Sequence, residues 1–518
     1  LKTLIALTCG AAAGSLLLAS GALAQTAPAP GQPVAAVAAG GPAAPTVQLT
    51  TLTVDRYVDD AEPGSLRWAV TTNNADPGKY RIEIAVPEGD AQPAIVLTSP
   101  LPPIKGPVAI EGLAWKRDGR FTAIDGSGYL QRDLKSCPGA TEGQYGTNVR
   151  TTSFPGLALV DTRGVSLSGL EVRNFCIGVL VLRTSNSVIA DNRFVRNIGG
   201  AGVMFSGDNG SGGSTSDTTN DNKVLRNVFF ENGDGLELTR GAAFNLIADN
   251  VFDAGQDNLE PSQGIEILWG NDNTVVRNRF LNYTDGLQIN WGARNFIGAN
   301  EFQGNAFGVS VTGASNMVDG NDIFGNGVGI AVRPEAARTV NRFSQNRIRD
   351  NGKQILRCSA GGSCSPDIPR GGIVVGLPGL EHLEYVGSRG MGVVQDRTTA
   401  PHICSAQNTR EGCQTAPELG LIAPVVAAVR RSGLVLVVSG EATGPANGLL
   451  TLEVFSGAAG SGEGAAYLGA IQAVTDADGK ARFAGQVTAP AAGSVVTVTT
   501  TTAAGATSAF SSPVRVAR

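Results

Sequence analysis

The sequence predicts an all-β chain: a solenoid of short stacked strands, followed by a small antiparallel β-sandwich. Two repeating patterns predict the solenoid. The first is an apolar residue, two variable positions, Asn, one variable position and another apolar residue, which recurs at Asn192, Asn227, Asn250, Asn278, Asn300, Asn321 and Asn346. The second is Gly followed by apolar–variable–apolar, at Gly178, Gly202, Gly235, Gly264, Gly286, Gly308 and Gly329. Where no loop intervenes the repeat steps by 21 or 22 residues. Period-two alternation inside each unit, as in Leu236/Leu238, Ile265/Ile267 and Leu287/Ile289, marks strands with one buried face. A third pattern predicts the sandwich: apolar–polar alternation broken by Gly, Asn and Asp turns between residues 417 and 518.

In chain order, residues 1–24 carry Lys2, an apolar run and a closing Ala22-Leu23-Ala24, the pattern of a secretory signal peptide. Residues 25–46 are mostly Ala, Pro, Gly, Gln and Val, an extended linker. Residues 47–400 hold the solenoid. One unit of two or three short strands cannot bury its apolar face alone, whereas stacked units bury a continuous core. The recurrent Asn then has a physical role, because its amide both donates to and accepts from the Asn one coil away. "EPGSLRWAV" (62–70) predicts a short helix that caps the open N-terminal end, with Ser65 as N-cap and Leu66, Ala69 and Val70 inward. "RIEIAV", "AIVLT", "VAIEG" and "TAIDGSG" follow as strands. The insert at 206–222 is open to two readings, a calcium loop or a plain connecting loop. Residues 401–416 are expected as a disulfide-closed connector, and 417–518 as an immunoglobulin-like sandwich serving as spacer, cap or carbohydrate contact.

The chain is mildly acidic, at −5, and sparsely charged. That balance argues against nucleic acid or an anionic membrane surface as partner, and no segment beyond the leader predicts membrane insertion. Six cysteines after the leader suit an oxidising compartment. Local pairing is expected for Cys358–Cys364 and Cys404–Cys413, leaving Cys137–Cys176. The only histidines, His382 and His402, have no zinc-ligand spacing. The expected location is secreted: extracellular, cell-surface or periplasmic.

The Asn and Gly repeats, with the capping helix, resemble the pectin-lyase-like superfamily of right-handed parallel β-helices over about residues 47–400. The resemblance implies that fold and leaves function open, because the fold hosts lyases, hydrolases, epimerases and adhesins alike. The family's arginine-rich lyase motif, its Trp-Asp-His run and the Gly-His-Gly of polygalacturonases are absent from this sequence.

Candidate chemistry therefore comes from the outward positions. The residue two after each Gly points away from the core, giving Leu180, Met204, Glu237, Glu266, Gln288, Ser310 and Ala331 in order along the stack. Glu237 and Glu266 are expected on adjacent coils, about 5 Å apart at Cβ. Trp269, Trp291, Arg240 and Asn290 lie just beyond the strands, with Asp234, Gln263 and Asp285 just before them. An open groove lined by acids, amides and exposed tryptophans suits polysaccharide, because indoles stack on pyranose rings. Glu237, Glu266 and Arg240 are the candidate catalytic residues. Trp269, Trp291, Gln288 and Asn290 are the candidate substrate contacts, and Asp234 and Asp285 the candidate metal ligands, with Ca²⁺ as the expected cofactor if there is one. Three functions fit. Resemblance to pectate lyases implies β-elimination on a uronate polymer, with Arg240 as base or carboxylate clamp. A retaining glycosidase also places two carboxyl groups about 5 Å apart. A non-catalytic surface or matrix protein is the remaining alternative.

Overall fold

The computed structural model describes residues 48–85, 94–130, 155–198, 200–211, 213–255, 258, 262–332, 340–351, the strands Gly371–Val375, Glu384–Ser388 and Met391–Gln395, and 421–516. The expected leader, linker and connector, both histidines, and at least one member of each expected cysteine pair lie outside the described residues; Cys176 is described and buried.

Three parallel sheets of eleven, ten and nine strands wind through the chain. In each, neighbours follow chain order, so the polypeptide visits the three sheets in turn and climbs one strand spacing per circuit. This is a right-handed parallel β-helix. One coil is Leu246–Ala248 in the first sheet, Val251–Asp253 in the second and Gln263–Leu268 in the third. The inward side chains form one core, in which Phe194, Phe229, Phe252, Phe280 and Phe302 stack at centroid separations of 4.4–4.9 Å.

The asparagines hold the turns together, and they form three columns rather than the single one that the repeat predicts. Asn300 shows the arrangement. Its Oδ1 accepts from the backbone N–H of Asn278 at 2.8 Å and from Asn278 Nδ2 at 3.0 Å. Its own Nδ2 donates to Asn321 Oδ1 and to the Val275 carbonyl. Parallel columns run through Asn222, Asn245, Asn273, Asn295, Asn316 and Asn341, and through Asn305, Asn326 and Asn351. Each satisfies buried backbone groups that a tight turn would strand.

Both ends are closed. Helix α1, Leu66–Ala75, covers the N-terminal end, with Ser65 Oγ accepting from Trp68 N–H and Leu66, Ala69 and Val70 buried in the core. At the other end, two antiparallel sheets of three and four strands lie between Val425 and Arg515. Phe455, Ala509 and Phe510 from this unit join the helix core. Glu453 accepts from Ser344 Oγ at 2.6 Å and from Gln345 N–H at 2.8 Å. Gly464 accepts from Ile348 N–H at 2.8 Å. The sheets thus satisfy polar groups and cover apolar side chains that the last coils would otherwise expose.

Candidate functional site

The third sheet presents the outward residues named above. Its strands Asp234–Thr239, Gln263–Leu268 and Asp285–Asn290 are neighbours. Glu237 pairs in register with Glu266, and Glu266 with Gln288. Leu236, Leu238, Ile265 and Ile267 on either side belong to the core, so alternation sends both glutamates to the opposite face. That face grades along its length. It is apolar at Ile177, Leu180, Ala201 and Met204, acidic at Glu237 and Glu266, then amide and hydroxyl at Gln288 and Ser310.

Asp234 joins the two glutamates. One carboxylate oxygen from each of Asp234, Glu237 and Glu266 lies within 4.8 Å of the others. Amides surround them. Asn290 Nδ2 donates to Glu266 Oε1 at 3.0 Å and to Gln288 Oε1 at 2.7 Å, and Thr312 Oγ1 donates to Asn290 Oδ1 at 2.9 Å. The backbone N–H of Gln263 donates to Asp234 Oδ1. Asp285 stands two coils from Asp234, with Oδ1 accepting from Ser310 Oγ at 2.6 Å, and is not part of the carboxylate trio.

The expected open groove needs correcting. Asp234 and Glu237 are each 1% exposed and Glu266 is 6% exposed. The tryptophans, by contrast, are exposed at 45% for Trp269 and 53% for Trp291. Their rings stack at 5.2 Å with planes 18° apart. Both adopt left-handed backbone, φ 60° and 55°, which turns the chain sharply at the strand end. Trp269 N–H donates to the Asn290 carbonyl and so fixes that turn on the coil above. Arg240 takes the equivalent position one coil earlier, also left-handed at φ 53°. Its Nη1 donates to Asp208 Oδ2 at 2.8 Å. Asp208 also accepts from Arg183 Nη1 and from the Gly210 N–H. Asp208 does not emerge from the repeat, because it enters on the inserted loop, whereas Arg183 holds the position equivalent to Arg240 two coils earlier. The arrangement is a covered carboxylate and amide cluster beside an exposed indole pair and a partly exposed guanidinium.

A family model described as "Periplasmic copper-binding protein (NosD)" matches residues 140–334 and 257–361. Copper favours imidazole and thioether or thiolate donors. The trio offers only carboxylates, so these three residues do not fit copper. Among solved structures, the chain is similar to a mutant of the periplasmic alginate epimerase AlgG, at 15% identity and TM-score 0.32, covering 51% of this chain and 60% of that one. It is also similar to pectate lyase Pel9A, at 13% identity and TM-score 0.30, covering 59% of this chain and 72% of that one. A 50% identity over 471 residues links it to the protein of Acinetobacter baylyi named 3-dehydroshikimate dehydratase, covering 90% of this chain and 95% of that protein. At that identity and coverage, the chain belongs to the family of the Acinetobacter baylyi protein.

Proposed function

We propose that this chain dehydrates 3-dehydroshikimate, or a ring acid built like it, at the third-sheet site. The observation that carries the reading is the 50% identity, across 90% of the chain, to a protein named for that reaction. The substrate is a cyclohexene carboxylate whose ketone is followed by two hydroxyl-bearing carbons. Dehydration is a β-elimination. A base takes the C–H proton next to the ketone, and that electron pair forms a C=C bond. The hydroxyl on the next carbon leaves with a proton as water, and loss of a further ring proton to the ketone oxygen completes an aromatic dihydroxybenzoate.

Glu237 and Glu266 are assigned as the acid–base pair, one accepting the carbon's proton and the other giving a proton to the departing hydroxyl. Asn290 and Gln288 hold oxygens beside them. Trp269 and Trp291 offer a flat surface for the ring, and Arg240 a cation for its carboxylate. Asp234, Glu237 and Glu266 also make a hard-oxygen donor set that fits a divalent cation such as Ca²⁺. Such an ion would supply Lewis acidity to the elimination. Burial of the carboxylates suits a molecule the size of one ring better than an inner unit of a polymer. Export to the periplasm is supported by the leader-like residues 1–24 and by the matching family's description.

A second reading keeps the same eliminative chemistry on a uronate polysaccharide, and the exposed indole pair favours it. Incubation with 3-dehydroshikimate and, separately, with uronate polymers, with and without EDTA, decides between them. Growth of aromatic ultraviolet absorbance with the small acid alone is expected. Unsaturated or reducing ends released from a polymer, with no aromatic product, would replace the first reading by the second.

A further inference from the structure

Three arginines on the outside of the coils each spend two donors on one carboxylate. Arg226 grips Asp191 through Nε and Nη2 at 2.8 and 2.7 Å, Arg277 grips Asp249 the same way, and Arg294 grips Asp272. Arg240 breaks the pattern. Among the described residues its guanidinium makes one hydrogen bond, from Nη1 to Asp208, and its side chain is 33% exposed. Donors on the other edge of the fork are left for a ligand.

Asp208 is built to hold Arg240 there. It is 6% exposed, and its two oxygens are divided between two guanidiniums, Oδ2 to Arg240 at 2.8 Å and Oδ1 to Arg183 at 3.0 Å. Arg183 is anchored in turn by both oxygens of Asp161. The Gly210 N–H donates to Asp208 Oδ1 at 2.6 Å. Burial pushes the Asp208 carboxyl up, but the Gly210 N–H and the two guanidiniums outweigh that and hold it below the usual carboxylate range. Sequence explains the gap that Asp208 fills. Counting three residues past each outward position gives Arg183, Gly207, Arg240, Trp269 and Trp291 on successive coils. A Cβ at Gly207 would lie 2.6 Å from the Arg240 carbonyl oxygen. The missing side chain lets the inserted loop leave at this point, carrying Asp208 next in the chain.

We infer that Arg240 binds the ring carboxylate of the substrate beside the Trp269–Trp291 pair, and that Asp208, braced by Arg183, is the positioning residue that presents it. This rests on the dehydratase reading for the identity of the ligand. The geometry also makes a claim of its own, that the site prefers a ring bearing a carboxylate to the same ring without one. A charge-assisted bidentate contact of this kind favours the carboxylate by about tenfold or more.

Calorimetric titration of the full chain with 3,4-dihydroxybenzoate and with catechol, which lacks only the carboxylate, tests the inference. The wild type is expected to bind the acid at least about tenfold more tightly. Asp208→Asn should remove most of that preference while leaving catechol affinity unchanged, and Arg240→Gln should abolish it. Retained catechol binding reports that each variant is folded at the site. Equal binding of the two ligands by the wild type, binding of neither, full preference in Asp208→Asn, or parallel loss of both ligands in that variant would each overturn the subsite. Turnover of 3-dehydroshikimate, measured alongside, separates the two claims. Preference without turnover removes the dehydratase reading and keeps the subsite; turnover without preference does the reverse.

Discussion

Trp269 and Trp291 stack face to face, 5.2 Å between ring centroids, although each is about half exposed. Burying such surface is worth far more than leaving it against water, so an exposed indole pair beside a polar cluster marks a contact surface. Trp291→Ala is expected to raise KM for the ring substrate by about five- to tenfold, in line with the worth of one aromatic stacking contact. kcat should change little, and the melting temperature should stay within a few degrees, because the side chain supports no core residue. Alanine is the chosen replacement because a β-branched residue would be strained at this left-handed position.

Glu237→Gln and Glu266→Gln keep the shape of the cluster and remove one charge each. Loss of a group that moves a proton in the reaction is expected to lower kcat by about a hundredfold or more. Thermal stability should hold or rise, because each change relieves like-charge repulsion among three buried carboxylates within 4.8 Å. Steady-state kinetics with parallel melting curves checks both. An unaltered kcat in both variants would take the chemistry away from this cluster.

Asn300→Ala is the corresponding test of the fold. The side chain is 2% exposed and makes four hydrogen bonds, to Asn278 twice, to Asn321 and to the Val275 carbonyl. Truncation leaves buried donors and acceptors on both neighbouring coils without partners, at about 1–3 kcal/mol each. Chemical denaturation should show a loss of about 3 kcal/mol or more. Asn351→Ala, at the end of a column and in part-buried surroundings, should lose less.

The Asn300 column was legible in the sequence because apolar residues flank each member at fixed distances. Its two sister columns lie five residues to either side, as in Asn295, Asn300 and Asn305, and the same spacing marks Asn316, Asn321 and Asn326. They are harder to see because Ser187 replaces Asn in one, and Asn258 and Tyr283 interrupt the other. The register of Glu237 with Glu266 was also legible, since alternation and a constant step fix which residues face outward. Burial of those acids was not, because alternation says which side of a strand a residue faces and not what lies over that face. The Asp208 bracket escaped for a related reason: an insertion breaks the step, so periodicity cannot say which outer residue its loop will meet.

The seam between helix and C-terminal sheets carries a pH dependence of defined sign. Glu463 is 7% exposed, and its Oε2 accepts from the Asn351 N–H at 3.2 Å. Burial pushes its carboxyl above the usual glutamate value, and Asp350 adds to this, while the Asn351 hydrogen bonds oppose it without prevailing. The folded chain therefore holds this proton more tightly than the unfolded chain does. Stability from this group is complete below the ordinary glutamate value and declines as pH rises through the raised one. Glu463→Gln keeps an acceptor for Asn351 and needs no proton. The variant should match the wild type in melting temperature near about pH 4 and exceed it near about pH 8. A variant that melts below the wild type at the higher pH would mean that the ionised carboxylate, not the neutral acid, holds the sheets on the end of the helix.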